Sequence, residues 1–104
     1  LGTWDYNPST DTILCSDRTL EIFGFEPDTP ISLPMAIETI HEKDRLRVIE
    51  AIQHALQPGS EGRYDIEYRL VNRQDQAERI IRATGQAFFN DQGIPYRFLG
   101  TVMD

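Results

Sequence analysis

The chain has 104 residues, 39% of them hydrophobic and 26% charged, with a formal net charge of −7. That length bounds one domain with one modest core. The acidic balance argues against a nucleic-acid partner, which wants a Lys/Arg excess on one face, and against rest on an anionic membrane surface.

Residues 1–7 and 12–15 read as a hairpin. Trp4 and Tyr6 alternate with Thr3 and Asp5, and Pro8, Ser9 and Asp11 supply the turn. Ser16 or Asp17 offers an N-cap oxygen to a short helix over 18–23 that Gly24 closes. Pro27 and Pro30 stiffen the loop that follows. Ser32 caps a second helix, with Pro34 tolerated in its first turn and Leu33, Ile37 and Ile40 marking its buried face. Charge over 41–45 breaks that pattern and leads into the longest helix, which ends near Gln57 before Pro58 and Gly59. Leu46, Ile49, Ile52 and Leu56 repeat along it at helical spacing, and Val48, Ala51 and Ala55 widen the stripe.

Three strands follow. Residues 63–71 alternate, with Tyr64, Ile66, Tyr68 and Leu70 on one face and Arg63, Asp65, Glu67 and Arg69 on the other. Residues 78–89 are rich in isoleucine and phenylalanine, and 94–102 put Ile94, Tyr96, Phe98 and Val102 on one side. Turn chemistry at 72–76 and 90–93 makes these neighbours antiparallel. Two strands, several helices and three more strands predict an α+β domain, with helices packed on one face of an antiparallel sheet.

Candidate chemistry is sparse. The single cysteine excludes an internal disulfide and a Cys-rich metal cage, so a reducing, cytoplasmic setting is expected. Cys15, alone in a strand, reads as a small buried apolar residue. His41 stands beside Glu42 and Asp44, but adjacent residues on a turn rarely face one ion. His41 and Asp44 read instead as a polar cap for the long helix, where an acidic residue suits the macrodipole. Glu67 and Arg69 share a strand face and are expected to pair with each other or across to Arg79 or Arg82. No Ser-His-Asp order, phosphate loop or zinc signature is present, so no metal site and no catalysis are expected in this domain. No apolar run approaches the roughly 18–20 residues that span a bilayer, so no direct membrane contact is expected.

The last two strands are apolar on both faces: Ile80 and Phe88 against Ile81 and Phe89, Phe98 and Val102 against Leu99 and Met103. One set packs beneath the helices and the other needs cover. Ile80, Phe88, Leu99 and Met103 are the expected contact surface, for a homodimer through the sheet or flanking helices. The start at Leu1 without an initiator methionine, and the stop straight after a strand, predict a single domain over 1–104 cut from a longer protein.

Five local patterns follow one another in order: Gly2-Thr3-Trp4-Asp5, Ile22-Phe23-Gly24-Phe25, His41-Glu42-Lys43-Asp44-Arg45, Asp65-Ile66-Glu67-Tyr68-Arg69 and Gly100-Thr101-Val102-Met103-Asp104. Together they make essentially the whole chain resemble a PAS domain, of the kind common in bacterial sensor proteins. The resemblance implies one five-stranded sheet in the order 2-1-5-4-3, helices cupping one face, and a pocket between them. It gives His41, Asp44 and Arg45 the role of a structural motif. It implies a non-catalytic sensory and dimerisation module that relays a signal through its last strand. Asp104 would begin the exit to an output domain in the same chain, a histidine kinase or a diguanylate cyclase. The alternative it implies is a receptor for haem, flavin or a small metabolite. Ile37, Ile40, Ile49, Ile52, Leu56 and Tyr68 would line that pocket, joined by Tyr64, Phe88 or Phe89 according to which point inward.

The chain departs from the family pattern at several places. Glu42 stands where the family usually has proline, Cys15 and Ile80 where it often has tryptophan, and Asp75-Gln76 where it commonly has Asp-Gly. Covalent flavin is disfavoured because the chain lacks the family's Asn-Cys-Arg-Phe motif. Haem is disfavoured because His54 lies later on the long helix than the family's ligand, which sits nearer Val48.

Overall fold

A computed structural model describes residues Leu1–Asp104. The elements run β1 (Gly2–Asn7), β2 (Thr12–Cys15), α1 (Asp17–Phe23), α2 (Leu33–Glu38), α3 (Glu42–Leu56), β3 (Arg63–Val71), β4 (Glu78–Phe89) and β5 (Pro95–Met103). All five strands form one sheet in the order β2-β1-β5-β4-β3, each pairing antiparallel. The anticipated order is therefore the observed one, with β1 paired beside β5. No helix is long and apolar enough to cross a membrane.

Helix starts follow local chemistry. Ser16 Oγ accepts the Thr19 N–H ahead of α1, and Gly24 ends that helix in the left-handed region at φ +88°. Ser32 Oγ accepts the Met35 N–H ahead of α2. At α3 the cap is His41, whose Nδ1 accepts the Lys43 N–H at 3.1 Å.

Side chains of Ile81, Ala83, Ala87, Phe98 and Val102 face the helices from β4 and β5 and are buried. They meet Val48, Ile52 and Ala55 of α3, with Leu20, Ile22 and Phe23 of α1 in the same cluster. The buried stripe of α3 therefore differs from the expected one. Asp44, Val48, Ile52 and Ala55 are its buried residues, and Leu46 is 67% exposed. Val48 and Ala55, expected only to widen the stripe, lie at its centre with Ile52 while Leu46 and Ile49 do not, and the bonds from Arg69 of β3 to Asp44 hold the helix at that rotation. The second helix is also shorter than anticipated. It stops at Glu38, and Ile40 lies beyond it in an isolated antiparallel bridge with Leu70. At the start of β5, Ile94 and Tyr96 are exposed rather than aligned with Phe98 in the core. The register between β4 and β5 shifts at Phe88 and Phe89, which face Arg97 and Pro95, so Tyr96 falls out of the alternation that Phe98 keeps.

Both edges of the sheet are covered in part. On the β2 side the Ile13 N–H donates to the Ile31 carbonyl at 2.8 Å. On the β3 side the His41 N–H donates to the Arg69 carbonyl and the Val71 N–H to the Thr39 carbonyl, while an Arg47 guanidinium nitrogen donates to the Glu67 carbonyl. The loops that lead into and out of α2, with Arg47 of α3, thus take strand groups of Ile13 and of residues 67–71 that the sheet leaves free.

Candidate ligand cavity and contact surface

A cavity of about 60 Å³ lies between the sheet and the helical layer, walled by apolar and aromatic side chains alone. Two glycines of the sheet seat the aromatic rings of its wall. Gly85 and Gly100 are partners across β4 and β5, flanked in the same row by Tyr64 on β3 and Trp4 on β1. With no side chain rising from the middle of the row, the two aromatic rings lean over it and meet edge to face at 6.0 Å between centroids. Phe98 packs against both, at 4.8 Å from Trp4 and 5.3 Å from Tyr64. The roof comes from Leu33, Ala36 and Ile37 of α2 and from Val48 and Ile52 of α3. No residue of α2 is fully buried, so this helix is the thin side of the enclosure.

Of the residues expected to line the pocket, Ile37, Ile40, Ile52 and Tyr68 stand in its wall. Ile49 and Leu56 do not. Val48 takes the inward position, and its neighbour Ile49 lies about 100° further round the helix. Leu56, the last residue of α3, packs on the margin of the core. Tyr64 joins the wall, while Phe88 points outward and Phe89 is half-buried against the core. Trp4, Tyr6, Phe98 and Val102 also line it and were missed as pocket residues, although the alternation of β1 already placed Trp4 and Tyr6 on one face.

The polar groups of the wall divide into two kinds. The Trp4 indole N–H donates to the Thr101 carbonyl at 3.1 Å, and the Tyr6 hydroxyl donates to Asp11 Oδ1 at 3.2 Å. The same Asp11 oxygen accepts the Leu33 N–H at 3.0 Å, tying the β1–β2 turn to the first residue of α2. The hydroxyls of Tyr64 and Tyr68 have no hydrogen-bond partner in the protein, yet neither is a sealed-in orphan. Burial pushes both phenols well above their ordinary range, and for Tyr64 the neighbouring Tyr68 adds to it.

No histidine, cysteine or charged side chain stands in the wall. His54 is exposed on α3, and His41 is the cap of that helix. Cys15 is half-buried on β2, where burial pushes its thiol up to about 11. No three His, Cys, Asp or Glu side chains converge on one point.

The charged motif ahead of α3 binds elements together. Arg45 Nε donates to the Ile40 carbonyl at 2.9 Å and its Nη2 to the Glu38 carbonyl at 3.1 Å, which closes the end of α2. Asp44 accepts from Arg69, so Arg69 pairs with the helix rather than with Glu67 as anticipated, and Glu67 pairs with neither Arg79 nor Arg82. Arg82 pairs instead with Asp65, and Arg79 with Asp104.

The opposite face of the sheet is mixed. Ile80 and Met103 are 57% and 54% exposed, Phe88 is also exposed, and Leu99 is half-buried. Among them run the Asp65–Arg82 and Asp5–Arg97 ion pairs and a Thr84–Thr101 hydroxyl contact at 2.8 Å.

This topology of five strands around a helix-capped cavity is matched by a family profile described as PAS fold, over residues 12–102. The chain belongs to the PAS fold family. Among solved structures, the PAS domain is similar to a sensory box histidine kinase/response regulator from Burkholderia thailandensis E264. That structure is 38% identical with a TM-score of 0.82, over 99% of this chain and 75% of the other. The N-terminal domain of a diguanylate cyclase with PAS/PAC sensor from Marinobacter aquaeolei shares the fold. It is 17% identical with a TM-score of 0.85, over 99% of this chain and 93% of that one. Among curated proteins, the sensor protein FixL of Bradyrhizobium diazoefficiens is 27% identical along all of this chain. The PAS domain spans 20% of the length of that relative. It is thus a PAS-fold domain similar in sequence to a sensory box histidine kinase and alike in fold to a diguanylate cyclase sensor domain.

Proposed function

We propose that this PAS domain is a non-catalytic sensory and dimerisation module of a cytoplasmic bacterial signalling protein. It passes its signal along β5 and out through Asp104 to an output domain later in the same chain, a histidine kinase or a diguanylate cyclase. The observation that carries this reading is the bridge from Arg79 Nη1 on β4 to Asp104 Oδ2, 3.1 Å long, which ties the exit to the sheet. Movement of β4 against β5 therefore alters what holds the last residue. The ion pair is half open to water and adds little to stability, so a shift between two arrangements stays within reach of a small stimulus. The partly exposed Ile80, Phe88, Leu99 and Met103 support pairing with a second copy through the outer face.

The test uses the full-length parent. Asp104→Ala and Arg79→Ala should each uncouple stimulus from output while leaving the domain folded by circular dichroism. Regulation unchanged in both variants would sink the relay.

The cavity favours a second reading, a receptor whose ligand sits between sheet and helices. Its volume falls well short of a haem or flavin ring system, and its wall holds neither an imidazole nor a thiol. These features support a receptor for a small metabolite over one for haem or covalent flavin. Native mass spectrometry of the purified protein reports bound ligand and subunit count together. A ligand-free monomer would overturn both the receptor and the dimer.

A further inference from the structure

We propose that His41 works as a proton-operated catch: its neutral imidazole caps α3, and protonation frees the first turn of that helix from the edge strand β3. The catch goes beyond the relay and the receptor and depends on neither.

The cap is unlike the other two in its chemistry. Ser16 and Ser32 cap α1 and α2 with hydroxyls, which do not titrate. At α3 the acceptor is a ring nitrogen, His41 Nδ1, which takes the Lys43 N–H at 3.1 Å. A neutral imidazole has one nitrogen free to accept, whereas an imidazolium carries hydrogen on both. On protonation two donors face each other at Nδ1 and the cap is lost. Imidazole is the side chain that ordinarily changes charge between about pH 5 and 8, so the cap is present above that range and absent below it. The ring is half-exposed, and water delivers the proton directly.

Nothing at this corner compensates the cation. The positive end of the α3 dipole opposes it. Asp44 is taken by Arg69 of β3 and by Arg47, and Arg45 is held by the carbonyls of Glu38 and Ile40. Glu42 and Lys43 on α3, Glu38 on α2 and Glu67 on β3 are exposed, where water and salt screen them. No ion pair of the domain includes His41.

The same residue is built into the sheet. Its N–H donates to the Arg69 carbonyl, and its own carbonyl accepts the Asp44 N–H, both at 2.8 Å. Asp44 in turn accepts the Arg69 N–H at 2.9 Å. Fraying of the first turn therefore reaches β3 through Arg69. His54, in the last turn, has the opposite sign, because a cation there suits the negative end of the dipole.

Nitrogen-15 NMR of the 104-residue chain is the test. At pH 8 the His41 Nδ1 should be the unprotonated ring nitrogen. From pH 8 to pH 5 the Lys43 amide shift should follow the His41 ring titration with the same midpoint. Protection of the Arg69 amide from hydrogen exchange should fall about three- to tenfold over that range. His41→Asn keeps a capping side chain that does not titrate, so its protection should stay level. His54→Gln should respond as the native chain does. A proton on Nδ1 at pH 8, a Lys43 amide that ignores the ring, level Arg69 protection in the native chain, or an equal fall in His41→Asn would each overturn the proposal. Loss of the response in His54→Gln would overturn it too, by moving the switch to the other end of the helix.

Discussion

Asp44 on α3 and Arg69 on β3 are joined by three hydrogen bonds into one carboxylate. The Arg69 backbone N–H and Nε both donate to Oδ2, and Nη2 donates to Oδ1, each at 2.9 Å. One side chain thus satisfies a free group of the edge strand and neutralises its own charge at the start of a helix. The Arg69 guanidinium and backbone N–H hold the Asp44 carboxyl well below the usual carboxylate range. A carboxyl depressed in the folded state stabilises fully above its unfolded value of about 3.9, and that contribution fades as pH falls below it. Asp44→Asn should therefore lower the thermal midpoint at pH 7 and flatten its fall between pH 5 and pH 2. Parallel acid limbs for the two proteins would refute the assignment.

Asn72 clasps the β3–β4 turn to the end of α1. Its Nδ2 donates to the carbonyls of Glu21 and Ile22, and its Oδ1 accepts the N–H groups of Gln74 and Asp75. Asn72→Ala should cost about 2–4 kcal/mol in urea unfolding, because buried backbone groups lose their partners. In the same turn Gln76 sits at φ +59°, so the left-handed geometry is kept without glycine. Gln76→Gly should stabilise the domain by about 0.5–1 kcal/mol.

The glycine row beneath the cavity admits no methyl at its centre. A Cβ on Gly100 would overlap the Thr84 carbonyl oxygen and come within 2.6 Å of the Gly85 Cα, both backbone atoms. Gly100→Ala should cost about 3 kcal/mol or more. At Gly85 the nearest atoms belong to the Trp4 ring, at 2.7 Å, and the Leu99 carbonyl follows at 3.0 Å. Gly85→Ala should thus be the milder change, and it should shift the Trp4 emission spectrum. Equal costs at the two positions would argue against this packing.

With its thiol pushed up to about 11, Cys15 should alkylate slowly. At pH 8 only about a thousandth of it is thiolate, against about a quarter for a thiol at the ordinary value near 8.5. Iodoacetamide should therefore react about two hundredfold more slowly than with a model peptide, and the rate should still be climbing at pH 10. A plateau near pH 9 would show the thiol to be unshifted.

The sheet was legible because strand alternation and turn residues are local. Tyr64, Tyr68 and Leu70 declared their face in the sequence itself, and the turns at 72–76 and 90–93 fixed the antiparallel neighbours. The crossover that sets β1 beside β5 is not local, and only the resemblance to a family supplied it. The rotation of α3 was not legible. Leu46 and Val48 suit a stripe equally by periodicity, and the choice fell to Asp44, whose partner Arg69 lies twenty-five residues away. The cavity was half legible for the same reason. Ile52 and Tyr68 could be placed by spacing, but the seat of the Trp4 ring over Gly85 depends on Gly85 and Gly100 being opposite each other across β4 and β5.

The covered rims of the sheet carry a consequence for assembly. Residues 39–41, Asp44 and Arg47 take the outward backbone groups of β3 from Glu67 to Val71, and Ile31 takes Ile13 on β2. An incoming strand is turned away from those stretches, whereas Arg63 and Asp65, at the far end of β3, keep their outward amides for water. Backbone pairing is thereby confined to short stretches of border, and a broader contact reads side chains that project from the open face, such as Ile80 and Met103.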